Sequence, residues 1–199
     1  MTDTEDHKQK MQAMQKAQAA KVADAVDPDR GLILVHTGNG KGKSSSAFGV
    51  LIRALGWKQT VGVVQFIKGK WITGERQFFQ RLGGVDWHTM GEGFTWDTQD
   101  RDRDIAAAKA AYAKAREMME SGNYDVILLD EINIALRYDY LTVEEVLEGL
   151  KARHKRTGVI LTGRDAPDAL IEYADLVSDM TEVKHPYKSG IKAQRGVDF

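Results

Sequence analysis

Leu32-Ile33-Leu34-Val35, then Thr37-Gly38-Asn39-Gly40-Lys41-Gly42-Lys43-Ser44, then Ser45-Ser46-Ala47-Phe48-Gly49-Val50-Leu51-Ile52, read as a buried strand, a glycine-rich turn and an amphipathic helix. Glycines at 38, 40 and 42 let backbone N–H groups converge on anionic oxygens, and the following helix points its positive end at the same place. Lys43 adds a point charge and Ser44 offers an oxygen to a magnesium ion, which makes the stretch a phosphate-binding loop. In the usual G-x-x-x-x-G-K-[ST] pattern the first glycine would stand where this chain has Thr37, and here it arrives one place later, at Gly38.

Working outward, short apolar runs alternate with helical patterns. Val61–Ile67, Val126–Leu129, Val159–Leu161 and Leu176-Val177 are continuous rather than alternating, the mark of strands covered on both faces. Residues 100–120 form an alanine-rich helix closed by Gly122, and Thr142-Val143-Glu144-Glu145 is a capping box opening another. The expected fold is a doubly wound, mostly parallel α/β sheet of the P-loop, RecA-like kind. In such sheets the ligand sits outside the carboxyl ends of the strands.

The chain has 199 residues, 28 basic and 29 acidic side chains, no cysteine and five scattered histidines. That is the length of one domain, and the lack of cysteine excludes disulfides, thiolate metal sites and cysteine nucleophiles. Balanced charge argues against a nucleic-acid partner, and no apolar stretch is long enough for a signal sequence or a membrane span, which predicts a cytoplasmic protein. Residues 1–30 differ in composition: Gln, Ala and Lys dominate, Met11, Met14 and Val22 fall near one face of a helix, and Asp27-Pro28-Asp29 ends it. Composition favours a frayed tail over a packed element there.

Asp130 and Glu131 follow the strand at 126–129, where a carboxylate holds magnesium directly or through water and completes a shell begun by Ser44. The alternative is a plain helix N-terminal acidic pair. Lys68, Lys70 and Arg76 follow the second strand and Arg164 follows Thr162-Gly163, all of them cations placed to meet phosphates. Gly91-Glu92-Gly93-Phe94-Thr95-Trp96 puts two large aromatics in a polar loop, where a core role and a flat-ligand or lid role compete evenly.

Together with Gly62–Gly69, Gly74-Glu75-Arg76, Leu129-Asp130-Glu131, Thr162-Gly163-Arg164 and Gly190-Ile191-Lys192-Ala193-Gln194, these strings resemble the P-loop type of ATP:corrinoid adenosyltransferase over residues 31–199. The resemblance implies a homodimer that moves the 5′-deoxyadenosyl group of ATP to Co(I) of a corrinoid and releases triphosphate, with a flavin-based electron donor such as a flavodoxin supplying Co(I). By the same resemblance Thr37, Gly38, Asn39, Gly40, Lys41, Gly42, Lys43, Ser44 and Arg164 hold the nucleotide. Ser44, Asp130 and Glu131 organise Mg²⁺, for which Mn²⁺ can substitute; Lys43, Ser44 and Glu131 serve the chemistry; Phe94 and Trp96 fill the lower face of the corrinoid. It also implies that residues 8–26 fold over the site as a lid, and it accounts for the late first glycine; the family's usual threonine is serine at 44.

Asp86-Trp87-His88-Thr89-Met90-Gly91 fits D-x-H-x-x-G, by which a different fold presents histidine to cobalamin. It reads as coincidence, because the downstream glycine and serine elements of that motif are lacking and a histidine ligand would oppose four-coordinate cobalt. Two other functions share the loop: γ-phosphate chemistry by an ATPase or small-molecule kinase, and a nucleotide-switched adaptor or RecA-like nucleic-acid binder.

Overall fold

Apolar runs such as those at 61–64, 126–129 and 159–161 must be covered on both sides, and here they are. Leu176-Val177, also expected to be covered on both faces, instead lies at an edge of the sheet with Leu176 45% and Val177 39% exposed, because only one neighbouring strand pairs with it. The computed structural model describes residues 3–67, 73–89 and 100–198. Six strands, β1 (Ile33–Thr37), β2 (Val61–Gln65), β3 (Val85–Thr89), β4 (Val126–Asp130), β5 (Gly158–Thr162) and β6 (Leu176–Asp179), form one sheet in the order β3-β2-β4-β5-β1-β6. Every neighbouring pair is parallel.

The period of two along each strand divides its side chains between two cores. On one face Val61, Val63, Leu128 and Ile160 meet α2 (Lys43–Gly56) and α3 (Gly74–Leu82) through Phe48, Leu51 and Phe79. On the other, Val64, Ile127, Leu129, Val159 and Leu161 meet α4 (Arg101–Glu120), α5 (Ile132–Arg137), α6 (Val143–Ala152) and α7 (Asp168–Tyr173). Each buried Leu or Ile contributes about 1.5 to 3 kcal/mol relative to exposure. The sheet is thus doubly wound, as expected, and wholly parallel among the described residues.

Local signals set the helix ends. Asp100 caps α4 through the Arg103 N–H. Thr142 and Glu145 make both arms of a capping box at α6, which holds the Glu145 carboxyl below the usual range through the Thr142 N–H. α1 (Asp3–Ala23) is exposed along its described length, Met11 and Met14 included.

Arg30 fastens the end of this extension to the domain. Its guanidinium donates to both carboxylate oxygens of Asp175, at 2.7 and 2.5 Å, and the Ile33 N–H donates to the same carboxylate at 2.8 Å. Arg30, opposed by some burial, holds the Asp175 carboxyl down at about 2. A carboxyl lowered from about 3.9 in the unfolded chain stabilises the fold above pH ~4, and that contribution is lost as pH falls toward ~2. Asp175→Asn should therefore lower Tm at pH 7 by roughly 1 to 4 °C, a small effect because the pair is solvent-screened. The two proteins' melting temperatures should converge by about pH 2, and a gap that persists there assigns the loss to packing.

Candidate active site

The carboxyl ends of β1, β4 and β5 bring the glycine-rich loop, Asp130-Glu131 and Thr162-Gly163-Arg164 to one edge of the sheet. The loop rests on the segment after β6. A Cβ built on Gly38 would lie 2.1 Å from Asp179 Oδ1, and one on Gly40 would lie 2.6 Å from the Met180 carbonyl oxygen. Gly38 (φ 95°) and Gly42 (φ 116°) also occupy the left-handed region that glycine alone enters freely. Behind the loop, Ser46 Oγ lies 2.9 Å from His36 Nδ1 and donates to the Lys43 carbonyl at 2.9 Å, fixing the first turn of α2.

Lys43 is only 8% exposed, and its ammonium donates to the carbonyls of Gly38 at 2.8 Å and Gly40 at 2.6 Å. Burial pulls its pKa below the ordinary lysine value; Glu131 and Asp179 oppose this, while Arg164 and Lys41 add to it. Three cations thus crowd one loop, an arrangement that an anionic ligand relieves.

Two cavities flank the loop. The first, about 630 Å³, is lined by Lys41, Gly42, Lys43, Ser44 and Ser45, by Thr73, Gly74 and Glu75 at the start of α3, by Glu131, and by the tail from His185 to Asp198. The second, about 760 Å³, lies on Thr37, Gly38 and Asn39 with Arg164, Asp179 and Lys188. Of the nucleotide-binding residues expected from the sequence, Lys41 to Ser44 meet Glu131 in the first cavity, whereas Thr37 to Asn39 meet Arg164 in the second. Gly40 lies packed between them against the backbone of Met180 and Thr181.

The acidic pair divides in the same way. Asp130 is fully buried and accepts from Gln65 Nε2 and Thr162 Oγ1, both at 2.9 Å. Glu131 caps α5 in a left-handed conformation (φ 63°), costly for a side chain with a Cβ, and faces the first cavity. Magnesium is a hard cation that takes oxygen ligands and, beside nucleotide phosphates, needs only one or two from the protein; Ser44 and Glu131 in one cavity wall fit it.

Sequence reasoning gave the tail no role, yet its residues form the outer wall of the first cavity. Lys41 pairs with Asp198 at 2.5 Å, Asp198 accepts from the Gln194 N–H at 2.7 Å, and a short turn at Pro186–Ser189 is capped by His185. The tail's signals in the sequence were Pro186 and the string Gly190–Gln194, which entered only as part of the family resemblance. His88 lies 2.8 Å from Asp86 on β3, and Asp86 also accepts from the Tyr124 hydroxyl; burial, together with that bond, raises the Tyr124 pKa to about 12. Arg76 lies in the first turn of α3; Lys68, Lys70, Phe94 and Trp96 lie outside the described residues.

A doubly wound parallel sheet with a glycine-rich loop between β1 and α2, and an acidic residue ending β4, defines a nucleotide-binding domain of the P-loop class. The family model described as ATP:corrinoid adenosyltransferase BtuR/CobO/CobP matches residues 29–199, and the chain belongs to that family. It is 51% identical to a corrinoid adenosyltransferase of Pseudomonas aeruginosa over 194 residues, covering 97% of this chain and 95% of the relative. A corrinoid adenosyltransferase of Escherichia coli is 45% identical over 195 residues, with 98% of each chain covered. One from Salmonella typhimurium, the corrinoid adenosyltransferase CobA, is 43% identical over 195 residues, again with 98% of each covered.

Proposed function

We propose that this protein transfers the 5′-deoxyadenosyl group of ATP to Co(I) of a corrinoid in the making or salvage of adenosylcobalamin. The observation that carries the reading is family membership across residues 29–199 joined to a cavity that gathers Lys41, Lys43, Ser44 and Glu131. The electron pair of Co(I) forms the bond to C5′, the C5′–O bond breaks, and triphosphate leaves with that oxygen's pair while cobalt becomes formally Co(III). Co(I) is nucleophile enough to need no general base. The chain's work is to hold C5′ in line, stabilise the triphosphate and keep water out.

In this reading the backbone from Gly38 to Ser44 cradles the phosphates and Lys43 exchanges its two carbonyl partners for phosphate oxygens. Arg164 meets the nucleotide from the second cavity. Ser44 and Glu131 would hold Mg²⁺, or Mn²⁺ in its place, with Asp130 one step behind; the metal would neutralise charge on the departing triphosphate. Phe94 and Trp96 cover the lower face of the corrinoid so that Co(II) sheds its axial ligand and accepts an electron from a reduced flavodoxin. Residues 8–26 act as a lid, and the enzyme works as a homodimer in the cytoplasm. Among the described residues no helix is long and apolar enough to cross a membrane.

ATP and chemically reduced corrinoid should yield triphosphate and the light-sensitive spectrum of an adenosylcorrinoid. ADP and phosphate in their place would establish phosphoryl transfer instead. Phe94→Ala and Trp96→Ala should cripple the reaction started from Co(II) and reduced flavodoxin yet spare the one started from Co(I), whereas equal loss in both, with a lowered Tm, would make the aromatics packing residues.

A further inference from the structure

A line of polar contacts runs across the carboxyl edge of the sheet, through positions where apolar residues would be cheaper to bury. Trp87 Nε1 donates to Thr89 Oγ1 at 3.1 Å, and Thr89 Oγ1 donates to Gln65 Oε1 at 3.4 Å. Gln65 Nε2 donates to one oxygen of Asp130 and Thr162 Oγ1 to the other, each at 2.9 Å. The same Thr162 hydroxyl accepts from the Glu131 N–H at 2.9 Å. Gln65 is 2% exposed, and Asp130 and Thr162 are fully buried. Burying a carboxylate without donors costs far more than burying an aliphatic side chain, so these donors are what makes Asp130 tolerable there.

Thr162 is the hinge of the line. Because its oxygen accepts from Glu131 N–H, its own proton points to Asp130, and one hydroxyl thereby fixes both members of the acidic pair. The Glu131 backbone bears a left-handed φ of 63°, which the bond from its N–H helps to hold. That turn carries the residue out of the sheet and into the wall it shares with Ser44.

We infer that Thr162, seconded by Gln65, is a positioning residue for the metal that accompanies the nucleotide: it presents Glu131 to the cavity beside Ser44 and clamps Asp130 behind it. This rests on the reading of Ser44 and Glu131 as the metal's protein ligands. Partners of this kind, one bond removed from a metal ligand, typically change metal affinity by 10- to 100-fold when lost.

The test uses the full chain with ATP and Mn²⁺ and no corrinoid, so that nothing turns over, and reads Mn²⁺ affinity by electron paramagnetic resonance. ATP affinity in EDTA is read beside it by calorimetry. Thr162→Val, nearly the same shape without the hydroxyl, should weaken Mn²⁺ at least 10-fold and leave metal-free ATP affinity unchanged. Thr162→Ser, which restores the hydroxyl, should recover it to within about threefold. Gln65→Met should shift Mn²⁺ affinity in the same direction by less, and it carries the test if Thr162→Val does not fold. A folded Thr162→Val with wild-type Mn²⁺ affinity overturns the inference, as does a Thr162→Ser variant as impaired as valine, which would mark a packing role. Ser44→Ala and Glu131→Gln separate the two levels: if they weaken Mn²⁺ and Thr162→Val does not, only the positioning role falls; if neither weakens it, the metal reading falls with it.

Discussion

Lys43→Ala leaves a folded protein whose turnover falls by about 10²- to 10³-fold, the loss of some 2.7 to 4 kcal/mol of transition-state stabilisation expected when one preorganised donor to developing charge is removed. The side chain is already aimed: buried, and bonded to the Gly38 and Gly40 carbonyls, it stands inside the loop rather than in solvent. Its ammonium is partly desolvated and has cationic neighbours in Arg164 and Lys41, so a triphosphate gains more from it than from a surface lysine. Lys43→Arg should not rescue, since the larger guanidinium must fit where Nζ now sits between two carbonyls. Initial rates over a range of ATP concentrations decide the matter. A folded Lys43→Ala protein with near-wild-type kcat/KM removes the phosphate role from the loop.

Gly38→Ala should be the most damaging of the single-methyl changes in the loop. Its backbone sits at φ 95°, and the added carbon would lie 2.1 Å from Asp179 Oδ1 and 2.7 Å from the Met180 backbone. Conformational strain costs about 1 to 3 kcal/mol and overlap about as much again. Gly42→Ala is the matched comparison: its φ is 116°, yet the nearest atom to an added Cβ is Met180 Sδ at 3.9 Å, so only the strain remains. Denaturant titration should rank Gly38→Ala well below Gly42→Ala in stability. Equal losses would mean that the segment after β6 yields and is no floor for the loop.

Where burial is two-sided, the fold was legible in the sequence. β1, β2, β4 and β5 fall on the apolar runs read as strands, and α4 and α6 carry the expected caps; β6 also falls on such a run, but as an exposed edge strand rather than one covered on both faces. β3 escaped because polar residues interrupt its half-buried apolar ones: Trp87 packs parallel to Phe48, with ring centroids 5.5 Å apart, while the polar Asp86 and His88 pair with each other. Its pattern is polar enough to imitate a cobalamin motif, and pairing with β2 at Val61↔Val85 is what makes it a strand. α3 was likewise unread, since its nine residues bury only Phe79. At the site, the loop and the acidic pair were visible because their chemistry is local. The separate positions of Asp130 and Glu131, and the wall made by His185 to Asp198, depend on partners distant in the chain, such as Thr162 and Lys41, which no local pattern encodes.

The strand order also sets a timetable for synthesis. β1, which carries the loop, is hydrogen-bonded to β5 on one side and β6 on the other, with Ile33 opposite Val159 and Leu34 opposite Leu176. A ribosome therefore makes the glycine-rich loop more than a hundred residues before it supplies the strands that flank it and the Asp179-Met180 floor beneath it. Nascent chains that stop before β5 have the loop's sequence without its shape and should not capture ATP, so nucleotide binding reports that β5 and β6 have been made and paired.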